Sequence, residues 1–126
     1  MPAYNTLVPP PAAYPGDKVM LFNAESTAAI TTSQQVYLTS DIGTGVVECL
    51  IEGFFSGAPG TFEIDIQFAA TDTDKAYITP SLGGVITAAN SNNYFSYKYD
   101  PTLGPFVRAL MKTNGNTVNL TLSVLR

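Results

Sequence analysis

The feature that most constrains the fold of this chain is the segment FEIDIQFAA, which begins at Phe62. Its apolar residues share one face of an extended chain: Phe62, Ile64, Ile66 and Phe68. Its polar residues share the other face: Glu63, Asp65 and Gln67. Because successive side chains of a strand point to opposite faces, this alternation predicts a strand with one buried and one solvated face. A helix has a different period, so this part of the chain must belong to a sheet.

Similar short runs follow one another along most of the chain, separated by segments rich in Gly, Pro and Asn. The other candidate strands are KVMLFN, QQVYLTS, VVECLIEGFF, AYITPSL, GGVITAAN, NYFSYKY and the two halves of FVRALMKTNGNTVNLTLSVLR. No segment has a convincing helical pattern. Seven to eight short strands spaced in this way predict an all-β fold, an antiparallel β-sandwich of the jelly-roll type.

Two local pairings are expected from the turn signals. The dipeptide Asn114-Gly115 predicts a two-residue type I′ hairpin, which would set Met111 opposite Val118 and continue outward with apolar partners on one face. The loop FSGAPGT predicts that the strand before it and FEIDIQFAA are antiparallel neighbours.

Composition excludes several classes of function. The 126 residues carry a net charge of −4, and only 13% of them are charged. Because nucleic-acid binding needs clustered basic side chains, six scattered Lys and Arg argue against it. No apolar run is long enough to span a membrane, and no signal peptide is visible at the start, so synthesis in the cytoplasm is expected.

The inventory of reactive side chains is equally restrictive. The chain has no histidine and a single cysteine, Cys49, within VVECLIEGFF. It therefore lacks the residues of a Ser–His–Asp triad, a multi-cysteine zinc site or an internal disulfide. Cys49 is expected to be a small buried side chain. We expect neither catalysis nor a bound cofactor.

The best metal candidates are Asp72 and Asp74, in the segment TDTDK that follows the alternating strand. Two carboxylates separated by one residue offer oxygen ligands to Ca²⁺, although the spacing of an EF-hand loop is absent. The alternative is a solvated turn in which the aspartates bind their own backbone.

A second arrangement of carboxylates is conceivable across two strands. If their strands were neighbours, four acids would lie on one sheet face: Glu48, Glu52, Glu63 and Asp65. Glycoside hydrolysis requires paired carboxylates, but alternating acids are also ordinary on a solvated strand, and the chain has no Trp to stack on a sugar.

The run YFSYKY provides an aromatic stripe. Phe95, Tyr97 and Tyr99 share one parity and are assigned to the core side, which leaves Tyr94 exposed. Because tyrosine is favoured at interfaces, Tyr94 is a candidate for contact with a protein or a glycan.

The N-terminal segment MPAYNTLVPPPAAYPGD holds five of the nine prolines and divides the chain into an arm, residues 1–17, and a sandwich domain, residues 18–126. Proline fixes φ and removes a hydrogen-bond donor, so the arm is expected to be extended, reaching roughly 50 Å as polyproline II. The alternative is a disordered tail. The arm also holds four larger apolar or aromatic residues, which are candidates for an interface: Tyr4, Leu7, Val8 and Tyr14.

Residues 46–126 resemble small β-sandwich proteins of tailed-bacteriophage virions, through VECLIEGFFSGAPGTFEIDIQFAATD and the closing FVRALMKTNGNTVNLTLSV. The resemblance implies a structural component of the virion, such as a capsid decoration (cement) or accessory head protein. It implies contacts with capsid or other virion proteins and a homo-oligomer, for example a trimer. It brings no catalytic residues. The alternative is a carbohydrate-binding or tail adhesin module.

Overall fold

In a computed structural model, residues 18–38, 49–99 and 105–125 are described. They form eight strands and one short 3-10 helix, Asp74–Ala76. The strands are β1 (Lys18–Ser26), β2 (Val36–Tyr37), β3 (Cys49–Phe55), β4 (Glu63–Ala69), β5 (Val85–Ile86), β6 (Tyr94–Tyr99), β7 (Phe106–Thr113) and β8 (Asn119–Leu125). The predicted arm, with Tyr4, Leu7, Val8 and Tyr14, lies outside the described residues.

The strands form two antiparallel sheets of four. Sheet A has the order β1-β8-β3-β6, and sheet B has the order β2-β7-β4-β5. The first strand thus pairs with the eighth, the second with the seventh, the third with the sixth and the fourth with the fifth. A long hairpin rolled into two sheets has this order, which is that of a jelly roll. The predicted all-β, antiparallel sandwich is confirmed.

The core lies between the two sheets. The four large apolar residues of FEIDIQFAA all face it, and each is at most 4% exposed. Sheet A contributes Ile51, Leu122 and other apolar side chains to the opposite wall. Cys49 is fully buried, and burial raises the pKa of its thiol to about 12. The expectation that Cys49 is a small core side chain is confirmed.

The predicted hairpin at Asn114-Gly115 is wrong. β7 belongs to sheet B, whereas β8 lies between β1 and β3 in sheet A, so residues 114–118 cross from one sheet to the other. Neither Asn114 nor Gly115 has the positive φ that a type I′ turn needs. Gly115 instead allows a close approach, because a Cβ there would lie 2.6 Å from the backbone N and O of Thr61.

The predicted pairing of the two strands around FSGAPGT is wrong for the same reason. β3 lies in sheet A and β4 in sheet B, and the loop between them bridges the sandwich. Loop 114–118 packs beside it, with the Asn116 backbone N–H donating to the Pro59 carbonyl at 2.9 Å. Alternation indicates which residues of a strand face the core. It does not indicate whether two strands are neighbours in one sheet or pack against each other from opposite sheets.

Another predicted strand, AYITPSL, is largely absent. Its first part belongs to the 3-10 helix, and only Ile78 forms an isolated bridge, with Phe68 of β4. The turn 81–83 follows, because Pro80 and Gly83-Gly84 favour a reversal over a continuing strand.

No helix among the described residues is long and apolar enough to cross a membrane.

The close packing of the core at Gly53 leads to a stability prediction. A Cβ at this position would lie 2.5 Å from Phe95 Cζ and 2.9 Å from Leu122 Cδ1, both inside the core. We expect Gly53→Ala to lower the free energy of unfolding by about 1–3 kcal/mol, because the core must shift to admit the methyl group. Urea denaturation followed by far-UV circular dichroism measures the change.

The matched control is Gly57→Ala, whose Cβ would meet Val118 Cγ1 at an ordinary 3.5 Å. We expect this variant to remain within about 0.5 kcal/mol of the parent protein. Equal destabilisation by the two substitutions would contradict the packing argument.

Candidate functional site

The outer face of sheet B carries a polar network centred on the buried Arg108. Its Nε donates to Gln67 Oε1 at 2.9 Å and its Nη1 to Asp74 Oδ1 at 2.8 Å. Its guanidinium lies 4.2 Å from the ring centroid of Tyr77, whose hydroxyl donates to Asp72 Oδ1 at 2.7 Å. Burial and this hydrogen bond raise the pKa of Tyr77. These contacts hold the segment after β4, which contains Asp72, Asp74 and Tyr77, against sheet B.

This network also determines the positions of the metal candidates. Asp72 accepts a hydrogen bond from Tyr77, and Asp74 forms an ion pair with Arg108. The two carboxylates therefore contact different side chains, Asp72 that of Tyr77 and Asp74 that of Arg108. Within residues 18–38, 49–99 and 105–125, no group of three or more His, Cys, Asp or Glu side chains is placed to hold a metal ion.

A second polar cluster surrounds Asp65 on the same face. Asp65 is only 5% exposed, and its Oδ2 lies 3.7 Å from Lys112 Nζ and accepts a 3.5 Å hydrogen bond from Thr79. Its buried Oδ1 has no hydrogen-bond partner. The carboxyl group of Glu63 lies within hydrogen-bonding range of Asp65, and this contact raises the pKa of Glu63. A protonated Glu63 would supply the donor that Asp65 lacks.

On the outer face of sheet A, Tyr94 is half-buried and its hydroxyl is engaged. It donates to Glu52 Oε2 at 2.8 Å, while Lys18 Nζ lies 3.0 Å from Glu52 Oε1. The hydrogen bonds from Lys18 and Tyr94 lower the pKa of Glu52. Tyr94 is thus partly available for contact, with its polar end already occupied.

The proposed constellation of four carboxylates is not formed. Because β3 and β4 belong to different sheets, Glu52 lies on the outer face of sheet A, and Glu63 and Asp65 lie on that of sheet B. Glu48 lies outside the described residues. The hypothesis of paired carboxylates across neighbouring strands is therefore wrong, since the sandwich separates the two groups.

A cleft of about 470 Å³ lies beside edge strand β6. We call it the tyrosine cleft and define it by Pro80, Ser81, Leu82, Gly83, Tyr97, Lys98 and Tyr99. Of the three aromatic residues assigned to the core side, Phe95 and Tyr99 are buried, but Tyr97 is 36% exposed. Tyr97 lies on an edge strand, so its ring contributes to the cleft.

The opposite wall of the cleft is a tightly held turn. The Tyr99 hydroxyl donates to the Gly83 carbonyl at 2.6 Å, and Gly83 has φ of +77°, which favours glycine. A Cβ on Gly84 would lie 2.5 Å from the Pro80 carbonyl oxygen, so this position also requires glycine. The turn holds Leu82 at its tip, 87% exposed.

Exposed apolar side chains concentrate on this side of the sandwich. Four of the seven large exposed hydrophobic residues of the described chain lie along it. We call this set the apolar edge: Ile78, Leu82, Val85 and Tyr97. Ile78 is bridged to β4, Val85 belongs to β5 and Tyr97 to β6. Several exposed apolar side chains along one edge are a feature of interaction sites.

Sequence reasoning missed Leu82, because it assigned this residue to the end of a strand. The available signal was the segment PSLGG, in which Pro80 and two glycines flank an apolar residue. This pattern is typical of a tight turn with an exposed tip.

No protein-family model matches the chain, and neither a curated protein nor a solved structure matches it.

The contact between Glu63 and Asp65 leads to a prediction about pH. The raised pKa of Glu63 means that its proton stabilises the fold below the unfolded-state pKa, and this contribution is lost as the pH rises through the folded-state value. Asp65 repels the ionised form of Glu63. We expect Glu63→Gln to raise the melting temperature at pH 7, because an amide can donate to Asp65 without a titratable proton, and the gain to shrink towards pH 4.

Thermal unfolding at both pH values measures this effect, with Glu25→Gln as the control. Glu25 is an exposed glutamate on β1 in the other sheet. A gain for Glu63→Gln that is equal at both pH values, or absent, would contradict the shared-proton interpretation.

Proposed function

We propose that this protein is a structural component of a bacteriophage virion, a capsid decoration or accessory head protein that works through protein–protein contacts and without catalysis. The observation that carries the proposal is the apolar edge, with Leu82 held 87% exposed on a constrained turn. An apolar anchor on a rigid support suits a permanent contact, because little ordering entropy is lost when a partner covers it.

The fold supports this proposal at the level of its class. Jelly rolls are common in viral capsid proteins and in lectins. Fold alone does not determine function, so the distinction between these two classes depends on surface chemistry. Here the exposed surface of the apolar edge is mostly aliphatic, which favours a protein partner over a sugar.

The distribution of charge also supports adhesion by apolar contact. Ion pairs within the chain take up charges on both outer faces: Lys18–Glu52, Arg108–Asp74 and Lys112–Asp65. With only 13% charged residues in all, few charges remain for steering a partner. An assembly based on this surface would depend little on salt, since screening acts mainly on exposed charges.

The proposed partners are capsid or other virion proteins and further copies of this chain, with a trimer as one arrangement. Contacts from the arm would add to those of the apolar edge, through Tyr4, Leu7, Val8 and Tyr14. The proposed location is the virion, after synthesis in the host cytoplasm.

Light scattering coupled to size-exclusion chromatography tests the assembly. We expect a homo-oligomer whose mass is the same at low and high salt, and dissociation when Leu82→Asp places a charge in the contact. Phe54→Asp is the control, because Phe54 is also an exposed hydrophobic residue but lies on β3, an inner strand of sheet A. A monomeric parent protein, or equal effects of the two substitutions, would contradict the proposal.

The location is tested separately by mass spectrometry of purified particles from the host that carries the gene. Recovery of this chain in a fixed ratio to the major capsid protein is expected. Its absence from the particles would contradict the virion assignment while leaving the assembly result intact.

A glycan-binding module is the second candidate, favoured by the tyrosine cleft and its exposed Tyr97 ring. It predicts a saturable signal on a glycan array that Tyr97→Ala abolishes and that Tyr37→Ala preserves, since Tyr37 is exposed but lies on β2. Tyr97 is a better probe than Tyr94, whose hydroxyl is bound to Glu52. Under the virion proposal we expect no glycan signal.

A further inference from the structure

We infer that the tyrosine cleft binds the N-terminal arm, residues 1–17, of a second copy of this chain. The inference rests on the proposed homo-oligomer and names one of its contacts. It concerns the partner of the cleft, whereas the proposed function concerns the apolar edge as a whole.

The chemistry of the cleft fits that of the arm. Extended proline-rich segments bind in grooves lined by aromatic side chains, because a polyproline II helix is already ordered and its rings pack on flat apolar surfaces. The cleft offers the Tyr97 ring, Pro80 and the exposed Leu82. The arm offers LVPPPAAYP, and its only charged side chain is that of Asp17, next to the sandwich.

The register of sheet A relates the end of the arm to the cleft. Lys18, the first described residue after the arm, pairs with Leu125 of β8, which pairs with Leu50 of β3. Leu50 pairs in turn with Lys98 of β6, in the wall of the cleft. The arm therefore joins the sheet at the same level as the cleft, but on the opposite edge, three strand spacings or about 14 Å away.

This placement favours a neighbouring copy over the arm's own cleft. Because β1 and β6 are opposite edges of one sheet, the contact between two copies would be head-to-tail, and repetition of such a contact gives a ring where the rotation closes and a filament where it does not. A reach of roughly 50 Å is several times the width of the sheet. To fill its own cleft, a stiff arm would have to run back across the sheet, whereas an adjacent copy brings its cleft next to β1.

Disulfide trapping between two full-length variants tests the inference. Ala13→Cys is introduced in one preparation and Leu82→Cys in another, and the two are mixed under oxidising conditions. The native Cys49 is buried and stays out of the reaction. We expect a covalent heterodimer that forms at least about tenfold faster than with Phe54→Cys in place of Leu82→Cys, because a bound arm raises the local thiol concentration towards the millimolar range.

Other outcomes would overturn the inference. If the doubly substituted chain, Ala13→Cys with Leu82→Cys, closes only an internal disulfide, the arm occupies its own cleft. If no disulfide forms faster than the control, the cleft has another partner. Light scattering of the parent protein separates the two proposals: an oligomeric parent without cross-linking between the variants contradicts the arm contact alone, whereas a monomeric parent contradicts both proposals.

Discussion

Burial of two apolar sheet faces against each other is the interaction on which the rest of this structure depends. Ile51 and Leu122 of sheet A lie in one core with Ile64 and Ile66 of sheet B, and all four are fully buried. Most consecutive strands lie in different sheets, so most connections cross from one sheet to the other. The loops at residues 56–62 and 114–118 are two such crossings, and they support each other through Asn116 and the Pro59 carbonyl.

The two outer faces and the edge of the sandwich have different chemistry as a result. On the outer faces, polar side chains find partners within the chain, as Arg108 does with Asp74 and Glu52 does with Lys18 and Tyr94. At the β5–β6 edge, the sheets end and their apolar side chains have no further strand to cover them among the described residues. The apolar edge and the tyrosine cleft lie there. The surface proposed for assembly is therefore the edge at which the two packed sheets end.

The candidate site was predictable only in part. The burial of Phe95 and Tyr99 followed from alternation along the strand YFSYKY. The exposure of Tyr97 did not, because it depends on β6 being an edge strand. Leu82 was missed because its prominence depends on a turn held by the Tyr99 hydroxyl, a contact between residues distant along the chain.

The sequence by itself determined the class of fold and the inward-facing side of FEIDIQFAA, and its lack of histidine excludes a Ser–His–Asp triad. A period of two is a local property of the backbone, so it could be seen in FEIDIQFAA without knowledge of any partner. Only the tertiary structure decided which strands are neighbours. Asn114-Gly115 favours a hairpin locally, yet β7 pairs with β2 and β4 in one sheet and β8 pairs with β1 and β3 in the other. Pairing of distant strands is a collective property of the whole core, and no local signal contains it.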